Sequence, residues 1–221
     1  MPASAYILTA LVSYLLGSIP TGFLVGKARG IDIRRIGSGN IGATNVFRTF
    51  GTVAGVAVLL TDALKGFLAV ALVAWLCWKT YGAVGGTFTR EWLEIDAGLA
   101  AVLGHNYTCW LHFKGGKGIA TSAGVLLALV PYSLLIIFAI WILVLGLTRY
   151  VSLASICASF ALPFATWLTG RSSTLIVITS AMTALAIYKH KSNIQRLLNG
   201  TETRIGTRKT APSPDTPKAA S

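Results

Sequence analysis

Charge is what this sequence has least of. Only 12% of its 221 residues are Asp, Glu, Lys or Arg, 54% are hydrophobic, and the mean hydropathy is +0.68. A water-soluble domain needs about a quarter charged residues to cover itself. The outside of this fold must therefore be apolar too, and its solvent is lipid. Acidic residues are scarcest: 7 against 19 basic ones, a net charge of +12. Nucleic acid is not the implied partner, since basic modules of that kind are soluble and carry motifs missing here. In a membrane chain the same excess sets topology and attracts anionic lipid headgroups of the bilayer. Cysteine is rare as well. Cys77, Cys109 and Cys157 form no C-x-x-C pair, which argues against a disulfide framework or a zinc site. No motif calls for a metal or any other cofactor. The first apolar stretch lacks a positive leader, and Lys27 and Arg29 follow it where a cleavage site would stand, so it reads as a transmembrane helix.

What is present is a series of long, continuous apolar runs without the alternation of strands. Seven can be read, at 4–26, 52–78, 92–108, 118–130, 132–148, 151–169 and 172–190. About 20 helical residues cross the roughly 30 Å of hydrocarbon. The expected fold is an all-α polytopic membrane protein of seven transmembrane helices, one domain over residues 1–206. The fourth run is short and meets Pro131, which predicts a broken or partly re-entrant helix. Residues 207–221 lack apolar periodicity and read as a disordered tail. With the N-terminus outside, 15 of the 19 Lys and Arg residues fall on the inner side, 3 outside, and Lys65 within the second run. The positive-inside rule then places the C-terminus in the cytoplasm. Small-residue pairs at Gly22/Gly26 and Gly51/Gly55 suggest close helix packing.

This orientation brings three polar segments to one face. The first runs from Arg34 to Arg48 and contains Gly37, Gly39 and Gly42 in a G-x-G-x-x-G spacing. No strand precedes it, so it is not a dinucleotide fingerprint. Its glycines let backbone N–H groups approach an anion, with Ser38, Asn40, Thr44 and Asn45 as neutral donors and Arg48 as a charged fork. The second joins Gly104-His105-Asn106 to Lys114-Gly115-Gly116-Lys117-Gly118 and Thr121, two lysines on a flexible glycine hinge. It is not a Walker A loop. The third begins at His190; in a helix to Leu198, His190, Asn193 and Leu197 share a face, and Gly200 supplies the stop. Asp62 and Lys65, at i, i+3 within the second run, are expected to pair with each other.

Together with Gly17-Ser18-Ile19-Pro20-Thr21-Gly22, Asp62-x-x-Lys65-Gly66 and Ser152-Leu153-Ala154-Ser155-Ile156, these segments resemble the acyl-phosphate:glycerol-3-phosphate acyltransferase family of bacterial inner membranes. The resemblance runs from about residue 5 to residue 206. It implies transfer of an acyl group from acyl phosphate to the 1-hydroxyl of glycerol 3-phosphate, with acyl-CoA inert, at the cytoplasmic face of a bacterial inner membrane. The enzyme that makes acyl phosphate is then a candidate partner. One departure is Thr108, where the family often has proline, a change expected to soften the turn after His105. The H-x-x-x-x-D dyad of the other large glycerolipid acyltransferase class is missing: Trp110, Lys117 and Gln195 stand five residues after the three histidines.

The expected division of labour follows. Ser38, Gly39, Asn40, Thr44, Asn45, Arg48, Ser152 and Ser155 bind phosphate, with Thr121 at the end of the second segment. Lys114, Gly115, Gly116 and Lys117 bind glycerol 3-phosphate or steer both ligands. His105, His190 and Asn193 orient the hydroxyl or stabilise developing charge, and neither histidine has an acid nearby in sequence. Glu202 ties the C-terminal helix to the Arg-rich loop. The competing class is a small organic-anion or phosphate transporter, which should show repeat symmetry and polar groups near mid-membrane; the chain shows no obvious repeat.

Overall fold

A computed structural model describes residues 2–81 and 89–206, and the tail expectation over 207–221 lies outside the described residues. Each apolar run becomes a helix. The first is split into α1 (Ala3–Ser18) and α2 (Thr21–Lys27). Pro20 has no N–H to continue the ladder, and the Ile19 carbonyl at the break instead accepts from Lys65 Nζ at 2.8 Å. An amphipathic α3 (Ala43–Phe50) leads through Gly51 into α4 (Thr52–Leu68), a π-helical turn (Ala69–Ala74) and α5 (Trp75–Tyr81). Then follow α6 (Arg90–Asn106), α7 (Ile119–Leu129), α8 (Pro131–Thr148), α9 (Val151–Leu168), α10 (Ser173–Lys189) and α11 (Lys191–Leu198). Among the described residues, four stretches are long and apolar enough to cross a membrane: Ala3–Lys27, Thr52–Tyr81, Pro131–Thr148 and Val151–Leu168. With 11 residues, α7 extends only about 16 Å. It stops at Val130, and Pro131 opens α8 at a position where proline loses no bond.

The outward faces are apolar, with Val53, Leu147 and Trp167 among the most exposed side chains. This is the expected surface of a bundle dissolved in lipid. Glycine sets two close helix crossings, α1 with α6 and α4 with α7. A Cβ on Gly17 or Gly104 would strike the backbone of α6 or α1, and one on Gly66 or Gly124 the backbone of α7 or α4. Of the pairs named from sequence, Gly55 does bring two helices together, since a Cβ there would strike the Phe47 backbone of α3. Gly22 and Gly26 face the 31–41 segment, and Gly51, at φ +86° in open space, makes the turn between α3 and α4. The departure at Thr108 is not a soft spot. Its φ of −63° is one a proline would take, and its buried hydroxyl donates to the Ser18 carbonyl at 2.6 Å.

Candidate active site

A cavity of about 420 Å³ opens at the end of the bundle where all three polar segments meet. Ser38, Asn40, Thr44, Asn45 and Arg48 line it from the first segment, Lys117 from the second, and His190, Asn193 and Glu202 from the third. Its other half, between α7, α8, α9 and α10, is walled by Leu126, Ile137, Phe138, Trp141, Leu162 and Met182. One space therefore joins a cationic, hydroxyl-rich mouth to an apolar interior.

Asn45 shapes the first segment. Its amide donates to the carbonyls of Ile33, Ile36 and Asn40 at 3.2, 3.0 and 2.9 Å, and its oxygen accepts from the Ser38 N–H at 3.0 Å. That uses the whole side chain on the loop itself. Gly37, at φ +61°, leaves the space this side chain fills. Asn40 likewise accepts from the Gly42 N–H at 2.8 Å, at the start of α3. Ser38, Thr44, Arg48 and the Asn40 amide N–H groups are thus what this loop offers to a ligand; Arg48 also donates to the Thr203 carbonyl at 2.9 Å.

In the second segment the glycines serve backbone packing. The Gly115 and Gly116 N–H groups donate to the carbonyls of Asn106 and His105 at 3.2 and 3.0 Å. A Cβ at Gly115 would strike the His105 carbonyl, and one at Gly116 the His105 ring. Only glycine lets the loop fold back onto the end of α6. That fold turns Lys117 inward, where it donates to Asn193 Oδ1. Burial and the nearby Arg196 and Arg48 cations lower Lys117 to about 8, against the opposing pull of Glu202.

Around Glu202, Ser152 Oγ and Asn193 Nδ2 donate to Oε1 at 2.9 and 3.0 Å, and Arg196 Nε donates to Oε2 at 2.7 Å. Burial alone would raise this carboxyl, but those donors hold it below the ordinary carboxylate range. Glu202 therefore ties α11 to α9, and the link to α3 runs through its neighbour Thr203. Gly200, at φ +68°, ends α11. His190 Nδ1 lies 2.8 Å from the Ala186 carbonyl. A carbonyl can only accept, so Nδ1 carries the proton and Nε2 is left for the cavity.

Five of the residues assigned to ligand binding stand outside the cavity lining: Gly39, Lys114, Gly115, Gly116 and Thr121. Lys114 is exposed, and Thr121 is fully buried. Ser155 lines the cavity but donates to the Val151 carbonyl at 2.9 Å and accepts from Trp141 Nε1 at 3.2 Å. Asp62 Oδ1 pairs with Lys65 Nζ at 2.8 Å and accepts from Thr21 Oγ1 at 3.1 Å. His105 Nδ1 is 3.7 Å from the same oxygen, so an acid distant in sequence does sit beside this histidine. Sequence reasoning missed Trp141, Ser159, Thr183 and the apolar wall; the signal was the turn-by-turn recurrence of Ser152, Ser155 and Ser159 along α9.

Comparison with known proteins agrees with this geometry. The family profile described as glycerol-3-phosphate acyltransferase matches residues 7–200. The chain is 47% identical over 210 residues to the glycerol-3-phosphate acyltransferase of Desulforudis audaxviator, covering 95% of this chain and 100% of that one. It is 48% identical over 199 residues to that of Geobacter sulfurreducens, covering 90% and 96%. Its fold matches the crystal structure of PlsY (YgiH), an integral membrane glycerol 3-phosphate acyltransferase, in the glycerol 3-phosphate form. The TM-score is 0.80 at 41% identity, over 92% of this chain and 96% of that one. The lysophosphatidic acid form of the same protein gives a TM-score of 0.78 at 40% identity, over the same shares. This chain belongs to the glycerol-3-phosphate acyltransferase family.

Proposed function

We propose that this protein transfers an acyl group from acyl phosphate to the 1-hydroxyl of sn-glycerol 3-phosphate, releasing 1-acylglycerol 3-phosphate and phosphate. The observation that carries the reading is the two-sided cavity. Arg48, Lys117, Ser38, Thr44 and His190 stand at a mouth suited to phosphate, continuous with an apolar interior suited to an acyl chain. An anion transporter would need polar groups through mid-membrane, where this cavity instead ends on Leu126, Leu162 and Met182.

Acyl phosphate is already activated, so no enzyme nucleophile is required. The hydroxyl oxygen attacks the carbonyl carbon, the bond from that carbon to the phosphate oxygen breaks, and the departing phosphate takes the hydroxyl proton. The protein's part is orientation and charge stabilisation. Two phosphorylated substrates repel each other, and Arg48 and Lys117 offset that repulsion. His190 Nε2, an acceptor facing the cavity, is placed to hold the 2-hydroxyl of glycerol 3-phosphate, which directs the 1-hydroxyl and leaves its proton to the phosphate. The position of His105 beside the Asp62–Lys65 couple and its packing under Gly116 suit a role in seating the Lys117 loop.

The same reading places the mouth at the cytoplasmic face of a bacterial inner membrane, with seven crossings and the N-terminus outside. Its support is the one-sided charge distribution and the meeting of the three polar segments at one end. The donor test compares acyl phosphate with acyl-CoA in detergent, following acylation of radiolabelled glycerol 3-phosphate. Turnover with acyl phosphate alone is expected. Turnover with acyl-CoA, where acyl phosphate fails, would reverse the assignment.

A further inference from the structure

We infer that the closed end of the cavity is a length gauge for the acyl chain, with Leu162 and Met182 as its floor and Ala158 on its wall. This rests on the acyl-phosphate reading of the same site.

Three helices agree on where the floor lies. On α9 the lining runs from Ser152, bonded to Glu202 at the mouth, through Ser155 and Ala158 to Leu162. The ten steps between them rise about 15 Å. Along α10 it runs from the cap His190 to Met182, and along α7 from the cap Gly118 to Leu126, eight steps or about 12 Å each. The side chains at that depth are packed. Leu126, Ile137, Ala158, Leu162 and Met182 are each at most 7% exposed and belong to one hydrophobic cluster. Between mouth and floor, Phe138 and Trp141 stack in parallel, 6.2 Å between centroids, and the Trp141 N–H is held by Ser155. The chain thus meets a fixed wall and then a packed end.

A packed interior responds to a single methylene because it cannot relax freely. An extended hydrocarbon with bonds of about 1.5 Å advances roughly 1.25 Å per carbon. Leu162→Ala withdraws three carbons from the floor and makes room for about two more chain carbons. Ala158→Leu narrows the wall above it and shortens the usable depth by a similar amount. A second path runs sideways: Leu59 on α4 and Phe138 on α8 line the cavity while being 46% and 52% exposed, which leaves an acyl chain a way out into the bilayer.

The test measures kcat/KM for a series of acyl phosphates two carbons apart, with wild type, Leu162→Ala and Ala158→Leu in detergent. The expected result is an optimum displaced to longer chains in Leu162→Ala and to shorter chains in Ala158→Leu. The ratio of kcat/KM between adjacent members should change by about tenfold, as two buried methylenes imply. Should Ala158→Leu fail to fold, Leu162→Ala and Met182→Ala carry the same measurement. Unchanged profiles in the folded variants overturn the gauge and favour sideways exit. Failure of every acyl phosphate with wild type would instead overturn the donor assignment on which the gauge rests.

Discussion

Replacing Lys117 by alanine should cost far more than replacing Lys114, although only two glycines separate them. Lys117 turns into the cavity, donates to Asn193 and shares the mouth with Arg48. Lys114 is exposed outside the lining, and only its backbone N–H is engaged, by the Leu111 carbonyl at 3.1 Å. A charge-assisted contact to a phosphate is worth about 1.5–3 kcal/mol, so Lys117→Ala should lower kcat/KM by roughly ten- to 150-fold. A surface change away from such contacts stays within about 0.5 kcal/mol, or roughly twofold. The assay is initial-rate phosphate release at fixed acyl phosphate with glycerol 3-phosphate varied. A loss at Lys114 equal to that at Lys117 would refute the assignment of Lys117 as the ligand-facing cation of this loop.

Gly116→Ala places a Cβ against the His105 ring, closer than the 3.0 Å that real Cβ atoms respect. The loop carrying Lys117 must move by about 1 Å, and such displacements cost on the order of 100-fold in rate; kcat/KM should fall while thermal unfolding in detergent shows the fold retained. Lys117, lowered to about 8, loses its charge as pH rises through that value. The kcat/KM profile, which reports the free enzyme, should decline on that alkaline side, and Lys117→Arg should abolish the decline. Glu202 contributes stability that is present above its unfolded value near 4.5 and lost as pH falls through its depressed folded value. Glu202→Gln should lower the melting temperature at pH 7 by several degrees, for about 1–3 kcal/mol, with a smaller difference at acid pH.

The seven apolar runs were legible because strands and soluble helices leave different patterns, and Pro131 marked one break; the breaks at Pro20 and Gly51 were read through, one as part of a single run and the other as half of a packing pair. The meeting of the three polar segments was legible from the one-sided basic residues. The division of labour within them was not. Asn45 and Thr44 are neighbours of similar polarity, yet one builds the loop and the other faces the cavity, which only the backbone path decides. Gly115 and Gly116 read as a hinge because a sequence does not show the His105 ring and carbonyl against them. The apolar wall was hidden for a different reason. In lipid, the outer face of α8 is as hydrophobic as Ile137 and Trp141, so no polar-to-apolar contrast marks the face that points inward.

The central claim is acyl transfer to a phosphorylated alcohol by direct attack on an acyl phosphate. It is tested most directly by supplying glycerol 3-phosphate labelled with ¹⁸O at its 1-hydroxyl, together with acyl phosphate and the purified protein, and following the label by mass spectrometry. The label should appear wholly in the ester of 1-acylglycerol 3-phosphate, with one unlabelled phosphate released per ester formed. A labelled glycerol bisphosphate with free fatty acid, or phosphate release without labelled ester, would contradict the account.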